Sequence, residues 1–184
     1  MTPLPDSRTK LTYADYDRIS NDDGRRHEII DGEHIVNAAP APRHQQISFQ
    51  LQLQLYEQIQ KRGNGEVYGA PVGVRFSNHD IVEPDLIAIR SENLGIITPT
   101  LIDGAPDLLV EILSPSSAAT DRIRKLALYE RFQVSEYWIV DPESRVVEQY
   151  VLTAGVFELK DTCRETITCL TFIGVSLNLT VVWR

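Results

Sequence analysis

Two short segments of this chain set carboxylates inside otherwise apolar strands. Glu83-Pro84-Asp85-Leu86-Ile87-Ala88-Ile89 and Pro106-Asp107-Leu108-Leu109-Val110-Glu111-Ile112-Leu113 both read as buried strands, yet they carry Asp85 and Glu111. On the helix expected next, Lys125 falls in the middle of an apolar face. Carboxylates and an ammonium are costly to bury unless they pair with one another or hold a metal. Paired carboxylates beside a lysine are the raw material of metal-dependent phosphodiester hydrolysis, in which a cation acidifies water and neutralises phosphate charge. Each residue also has a plainer reading. Lys125 could snorkel to water, Glu111 could pair with an arginine at a strand end, and Asp85 could be a turn residue after Pro84. The three together say more than any one, because apolar strands are where a solvent-facing carboxylate is least expected.

The elements that must position these groups follow from periodicity. Tyr13 to Ile19 reads as a short helix capped by Thr12. Asp22-Asp23-Gly24 marks a turn, and His27 to Val36 reads as a hairpin around Asp31-Gly32. Residues 43–61 fit either a strand (Phe49, Leu51, Leu53, Leu55) or a helix (Ile47, Leu51, Leu55, Ile59). The length and the scarcity of β-branched residues select helix. Strands are expected at about 66–76 and 82–90, a loop over 91–105, a strand from Leu108 to Leu113 and a helix near 118–132. At about 100° per residue, Asp121, Lys125, Leu128, Tyr129 and Phe132 share one face of that helix, whereas Arg124, Ala127, Glu130 and Arg131 point elsewhere. The nearest anion for Lys125 is Glu111 on the preceding strand. Glu136 to Val140 is a further strand stopped by Asp141-Pro142, and short strands follow near 145–152, 156–160, 165–170 and 178–183. The order is mixed α/β with a strand-rich tail.

Composition bounds the reading. The 184 residues suit one domain, residues 1–184, with a single core. No segment approaches the roughly 18 apolar residues of a membrane span, and the first residues lack the blocks of a secretory signal. Cys163 and Cys169 form no disulfide framework and no zinc spacing, so a cytoplasmic location is expected. A net charge of −8 argues against a general nucleic-acid coat protein. It leaves room for a nuclease whose acidic site contributes to that balance. Positive charge gathers at Arg122, Arg124, Lys125 and Arg131 and at Arg25-Arg26, where the plain reading is solvated surface.

Pro84-Asp85, then Glu111 in a strand, then a lysine, resembles the PD-(D/E)XK superfamily of metal-dependent nucleases. The commonest form of that motif has its lysine where Leu113 stands here, while some branches carry it on the following helix, as Lys125 is carried. The chain is more closely similar to a large bacterial family of restriction-endonuclease-fold proteins, long catalogued without an assigned function. The resemblance is carried by His27 to Glu33, Ala39 to His44, Glu83 to Leu86, Ala105 to Ser116, Asp121 to Tyr129 and Val134 to Pro142. It implies a restriction-endonuclease-like α/β fold, with a central mixed sheet flanked by helices and the site at one end of the central strands. It further implies that Asp85, Glu111 and the main-chain carbonyl of Ile112 hold Mg²⁺ or Mn²⁺. Lys125 would then position water or stabilise developing phosphate charge, and Glu28 would add an acidic ligand or water contact. DNA is the implied substrate, and a homodimer follows by analogy with enzymes that cut two strands. A nuclease-fold module without catalysis, binding DNA or protein, and a phosphodiesterase acting on another substrate are the alternatives.

Several residues are read beside this set. His44, at a helix start after Pro42, could touch phosphate or assist proton transfer, though capping is the commoner role. Tyr129 could line the site or fix the lysine, with packing the plainer role. Asp107 copies the Pro-Asp pattern of Asp85 but sits at a strand entrance, and is read as a residue supporting the site from behind or as a turn residue. Trp138 is assigned to the core. His27, His34 and His79 lack zinc-ligand spacing.

Overall fold

A computed structural model describes residues 10–19 and 25–184, so the expected Asp22-Asp23-Gly24 turn lies outside the described residues. Helix α1 (Tyr13–Tyr16) starts at Thr12, with Asp15 bonding back to the Thr12 main-chain N–H in a capping box. Strands β1 (Arg26–Ile30) and β2 (Glu33–Asn37) form the expected hairpin. Asp31 and Gly32 have φ of 55° and 79°, the left-handed pair that a two-residue hairpin turn needs. Helix α2 (Pro42–Gln58) confirms the helical reading of the glutamine-rich segment, with Pro42 in its first turn and Ile47, Leu51 and Leu55 buried.

Two expected strands are each divided. The segment 66–76 becomes β3 (Gly65–Gly69) and β4 (Val74–Ser77), and 82–90 becomes β5 (Asp80–Val82) and β6 (Leu86–Arg90). Pro71 and Pro84 lie at the two breaks, where a residue without an N–H cannot continue a ladder. At both breaks the chain passes between two sheets. The expected loop 91–105 contains a 3₁₀ turn (Ser91–Ile96) and β7 (Ile102–Asp103).

Six strands form the larger sheet: β11 (Val156–Cys163), β10 (Val146–Thr153), β9 (Glu136–Asp141), β8 (Leu108–Ile112), β6 and β3, in that order. Its central pair β8–β9 is parallel and its other pairs are antiparallel, so the sheet is mixed. The second sheet runs β2-β1-β5-β4-β7. Two short strands, β12 (Thr166–Thr168) and β13 (Ser176–Asn178), pair separately. The strand expected over 178–183 is instead a 3₁₀ turn, Leu179–Val181, whose first N–H groups are met by the Asn178 side chain, which accepts from Thr180 N.

The parity of the central strands decides what each face holds. Leu86, Ala88, Leu108, Val110, Ile112, Trp138 and Val140 face α2 and the C-terminal strands. Ile87, Ile89, Leu109, Tyr137 and Ile139 face the other way, toward helix α3 (Leu126–Arg131) and the second sheet. Asp85 and Glu111 share the parity of this second set. Asp85, just before β6, and Glu111, just after Val110, lie at the same end of the two strands, next to the pairing Leu86↔Val110.

Sequence reading gave Glu136 no special role, yet it organises the C-terminal strap. Fully buried, its Oε1 accepts from Trp138 Nε1 and Gln149 Nε2, both at 2.6 Å. Its Oε2 accepts from Leu170 N at 2.9 Å, Thr171 N at 2.8 Å and the Cys169 thiol. Glu136→Leu would orphan these donors, and each buried orphan costs about 1–3 kcal/mol. The variant is expected to lose about 2–4 kcal/mol in urea unfolding, and a loss below about 0.5 kcal/mol would contradict this account.

Candidate functional site

Lys125 ends a π-helical stretch, Thr120–Lys125, that runs directly into α3. The helix expected over 118–132 therefore opens with a wider turn than the 100° rule assumes, a variant often found at functional sites. Asp121 and Lys125 still face inward and are buried, as are Leu128 and Tyr129. Phe132, only partly buried, stacks on Phe76 with ring centroids 5.2 Å apart. The Lys125 ammonium lies 2.8 Å from Glu28 Oε1, 2.9 Å from Glu111 Oε1 and 3.5 Å from Asp121 Oδ1. Three carboxylates thus surround one ammonium, with all four side chains at most 2% exposed. Burial alone would discharge the lysine, but Glu111, Glu28 and Asp121 hold its pKa well above the ordinary value.

The carboxylates around it are not fully compensated. Burial pushes Glu111 well above the usual carboxylate range despite Lys125, and Asp121, Asp85 and Glu28 push the same way. Asp121 is likewise raised by burial. Asp85 behaves oppositely. Burial would raise it, but the His44 hydrogen bond, the Arg26 charge and the N–H of Ile112 bring it down to about 2. Its Oδ2 accepts from Ile112 N at 2.7 Å and lies 3.1 Å from His44 Nε2. Its Oδ1 accepts from Arg26 Nη1 at 2.8 Å.

His44 Nε2 is also 3.1 Å from the Ile112 carbonyl oxygen. Both neighbours are acceptors, which assigns the proton to Nε2. His44 Nδ1 is buried without a hydrogen-bond partner among the described residues. Tyr129 donates to Glu111 Oε1 at 2.8 Å, so it fixes the carboxylate rather than the lysine. Both Lys125 and Tyr129 take the same Glu111 oxygen, and Oε2 accepts no hydrogen bond among the described residues.

Asp85, Glu111, Ile112, His44, Asp121 and Lys125 border a cavity of about 210 Å³. Glu28 does not border it. Its Oε1 takes Lys125 and Glu83 N, and its Oε2 takes the Asn37 amide. Glu28 therefore reaches the site only through Lys125, not as the direct ligand or water contact expected of it. Asp107 lies at the other end of β8, held by Arg90 and Asn93, in keeping with a turn role. Trp138 is core.

Arg26 and Asp121 belong to this cluster, although sequence reading gave neither a site role. Arg122, Arg124 and Arg131 keep about a third to half of their side chains exposed, as the surface reading expects, while pairing with neighbours. Arg122 bonds Glu148, Arg124 pairs with Glu33 and the Ile30 carbonyl, and Arg131 bridges Asp31 and Asp80. Arg124 and Arg131 thereby lash the hairpin that carries Glu28 to the helix that carries Lys125.

The donor set can be tested against a divalent cation. Glu28, Asp85, Glu111 and Asp121 are four buried carboxyl groups crowded around two cations, Arg26 and Lys125. The crowding raises Glu111 and Asp121, and a bound divalent ion would relieve it. Among the described residues no three His, Cys, Asp or Glu side chains converge as a metal cage. Two carboxylates and a main-chain carbonyl are hard oxygen donors of the kind Mg²⁺ accepts, and the adjoining cavity has room for the waters the ion keeps. The residues fit the ion.

The fold and sequence have known counterparts. A crystal structure titled as a "putative nuclease belonging to DUF820" from Anabaena variabilis superposes with a TM-score of 0.76 at 16% identity, covering 94% of this chain and 97% of that one. At that identity the likeness speaks for the fold. An uncharacterized protein of Synechocystis is 26% identical over 142 residues, spanning 76% of this chain and 80% of its own length. No helix among the described residues is long and apolar enough to cross a membrane. The family model Uma2, described as "Putative restriction endonuclease", matches residues 13–181. With nearly its whole length so matched, the chain belongs to the Uma2 family, as its PD-(D/E)XK-like motifs lead one to expect.

Proposed function

We propose that this protein is an Mg²⁺- or Mn²⁺-dependent endonuclease that hydrolyses DNA phosphodiester bonds at the cavity between β6, β8 and the π-helical turn. The observation that carries the reading is the crowding of four buried carboxyl groups around Arg26 and Lys125, with Asp85, Glu111 and Ile112 at the cavity wall. Asp85, Glu111 and the Ile112 carbonyl would hold the ion. When bound, the ion supplies Lewis acidity toward water and phosphate.

The chain's own residues do the rest. Tyr129 and Lys125 fix the Glu111 carboxylate through one oxygen and leave Oε2 for the ion. His44 and Ile112 N fix Asp85. Glu28 and Asp121 hold the Lys125 ammonium charged, so that its positive field is present where phosphate charge develops. Lys125 acts through that field, because Glu28 and Glu111 hold its ammonium at 2.8 and 2.9 Å, while Asp121 Oδ1 at 3.5 Å accepts no hydrogen bond among the described residues.

That same commitment of Lys125 favours one second reading, a nuclease-fold module that binds without cutting. Calorimetric titration of the purified protein with Mn²⁺, paired with melting curves, separates the two. The nuclease reading expects saturable binding and a raised melting temperature, which ligand linkage puts at about 2.7 kcal/mol of added stability at a hundredfold excess over Kd. No heat and no shift would contradict it and favour the module. Turnover of a chromogenic phosphodiester without plasmid cleavage would redirect the reading to a small substrate.

A further inference from the structure

Arg26 differs from every other cation near the cavity. Lys125 has three carboxylates around it and is 2% exposed, whereas Arg26 is 16% exposed and, among the described residues, makes one ion pair, Nη1 to Asp85 Oδ1. Its remaining guanidinium donors take no hydrogen bond among the described residues. A guanidinium built for carboxylate recognition ordinarily engages through two parallel bonds, so this contact is the less committed form.

The position is also telling. Asp85 Oδ2 is already shared by Ile112 N and His44 Nε2. Oδ1 is therefore where Asp85 can admit a further cation, and Arg26 stands there. Arg26 begins β1 and borders two neighbouring cavities, the site cavity and one of about 220 Å³ that Arg25, Gln45 and Glu83 also border. Arg122, Arg124 and Arg131 are each tied to carboxylates elsewhere, which leaves Arg26 as the guanidinium at the site.

We propose that Arg26 is the exchangeable counter-ion of Asp85: it holds Oδ1 until a divalent cation takes that oxygen, and then binds a backbone phosphate of the nucleic-acid strand at the cavity rim. The inference rests on the metal-dependent reading above. Without the ion, Arg26 offsets part of the charge of Asp85, Glu111 and Glu28, whose field it feels. With the ion, an arginine held beside the cavity presents the planar donor fork suited to phosphate. Cation and strand are then coupled, since each favours the same position of Arg26.

The test uses the whole chain in three forms, wild type, Arg26→Met and Arg25→Met, with Arg26→Gln replacing the methionine variant if that one fails to fold. Arg25→Met removes the same charge one residue away without touching Asp85. Mn²⁺ is titrated calorimetrically into each, and binding of a labelled single-stranded oligonucleotide is measured in Ca²⁺. The expected result is Mn²⁺ binding at least about tenfold tighter in Arg26→Met than in either other protein, within the usual range of coupling between sites. Oligonucleotide binding should weaken about tenfold in the same variant, as loss of one charge-assisted contact implies. Mn²⁺ binding by wild type that is unchanged or weakened in Arg26→Met, or tightened equally in Arg25→Met, overturns the exchange while leaving the metal site standing. Tighter Mn²⁺ binding without loss of oligonucleotide affinity overturns the phosphate half. Absence of Mn²⁺ binding in all three proteins overturns the metal-dependent reading and this inference with it.

Discussion

Lys125→Met is expected to destabilise the protein by about 3–5 kcal/mol at neutral pH, the usual result of stranding buried charges without their partner. The ammonium is within 3.5 Å of Glu28, Glu111 and Asp121, all of them at most 2% exposed. Methionine replaces the stem but offers these carboxylates nothing. Glu111 and Asp121, already raised by burial in the native protein, respond by holding protons more firmly, so their folded-state pKa values rise further above the unfolded ones near 4. Groups raised in this way contribute stability that is complete below the unfolded values and is lost as pH climbs through the folded ones. Lys125 itself, raised in the native protein, contributes stability undiminished until pH passes its ordinary value near 10.4. The deficit of Lys125→Met against wild type should therefore widen between pH 5 and pH 8. Urea midpoints at the two pH values measure it, and a pH-independent deficit would contradict the shared-ammonium description. Loss of nuclease activity in Lys125 variants will consequently report folding as well as chemistry.

Asp85→Asn is expected to lower single-turnover DNA cleavage by at least about 100-fold while leaving the protein folded, since weakening even the supports of metal ligands costs 10–100-fold. Asparagine is the right change because its amide oxygen can still accept from Ile112 N, the bond that ties this turn to β8. What it removes is the charge at Oδ1, where Arg26 now sits and the ion would bind. The native carboxylate is held down to about 2. Its stabilising contribution is thus present above the unfolded value near 3.9 and is lost as pH falls toward 2. The variant should lack that part of the acid transition. Retained cleavage in a folded Asp85→Asn protein would remove Asp85 from the site.

Which parts of this arrangement the sequence could disclose follows from where their causes lie. Helix α2 was legible because Ile47, Leu51, Leu55 and Ile59 repeat at helical spacing, and the first hairpin because Asp31-Gly32 is a turn with a local mechanism. Glu111 and Lys125 were legible because apolar neighbours flank both, so each had to find a partner. Arg26 was not, since it begins a strand after a polar stretch and its partner lies far away in sequence at Asp85. Asp121 was placed on the correct face, but its contact with Lys125 became visible only with the helix built. Glu136 follows a polar residue at a strand start, and the groups that meet it come from Gln149 and from residues 169–171. The misread tail has a local cause. Leu179, Val181 and Val182 suit a strand, but Asn178 caps a 3₁₀ turn there. Long-range polar pairing and local capping are the two effects that hydrophobic period does not encode.

The most direct measurement incubates wild-type protein with supercoiled plasmid and with single-stranded DNA in Mg²⁺, in Mn²⁺ and in EDTA, with Asp85→Asn alongside. The account requires cleavage in at least one metal, none in EDTA, and none by Asp85→Asn above the EDTA background. Cleavage that persists in EDTA, or a folded wild-type protein that cuts neither DNA in either metal, would contradict it.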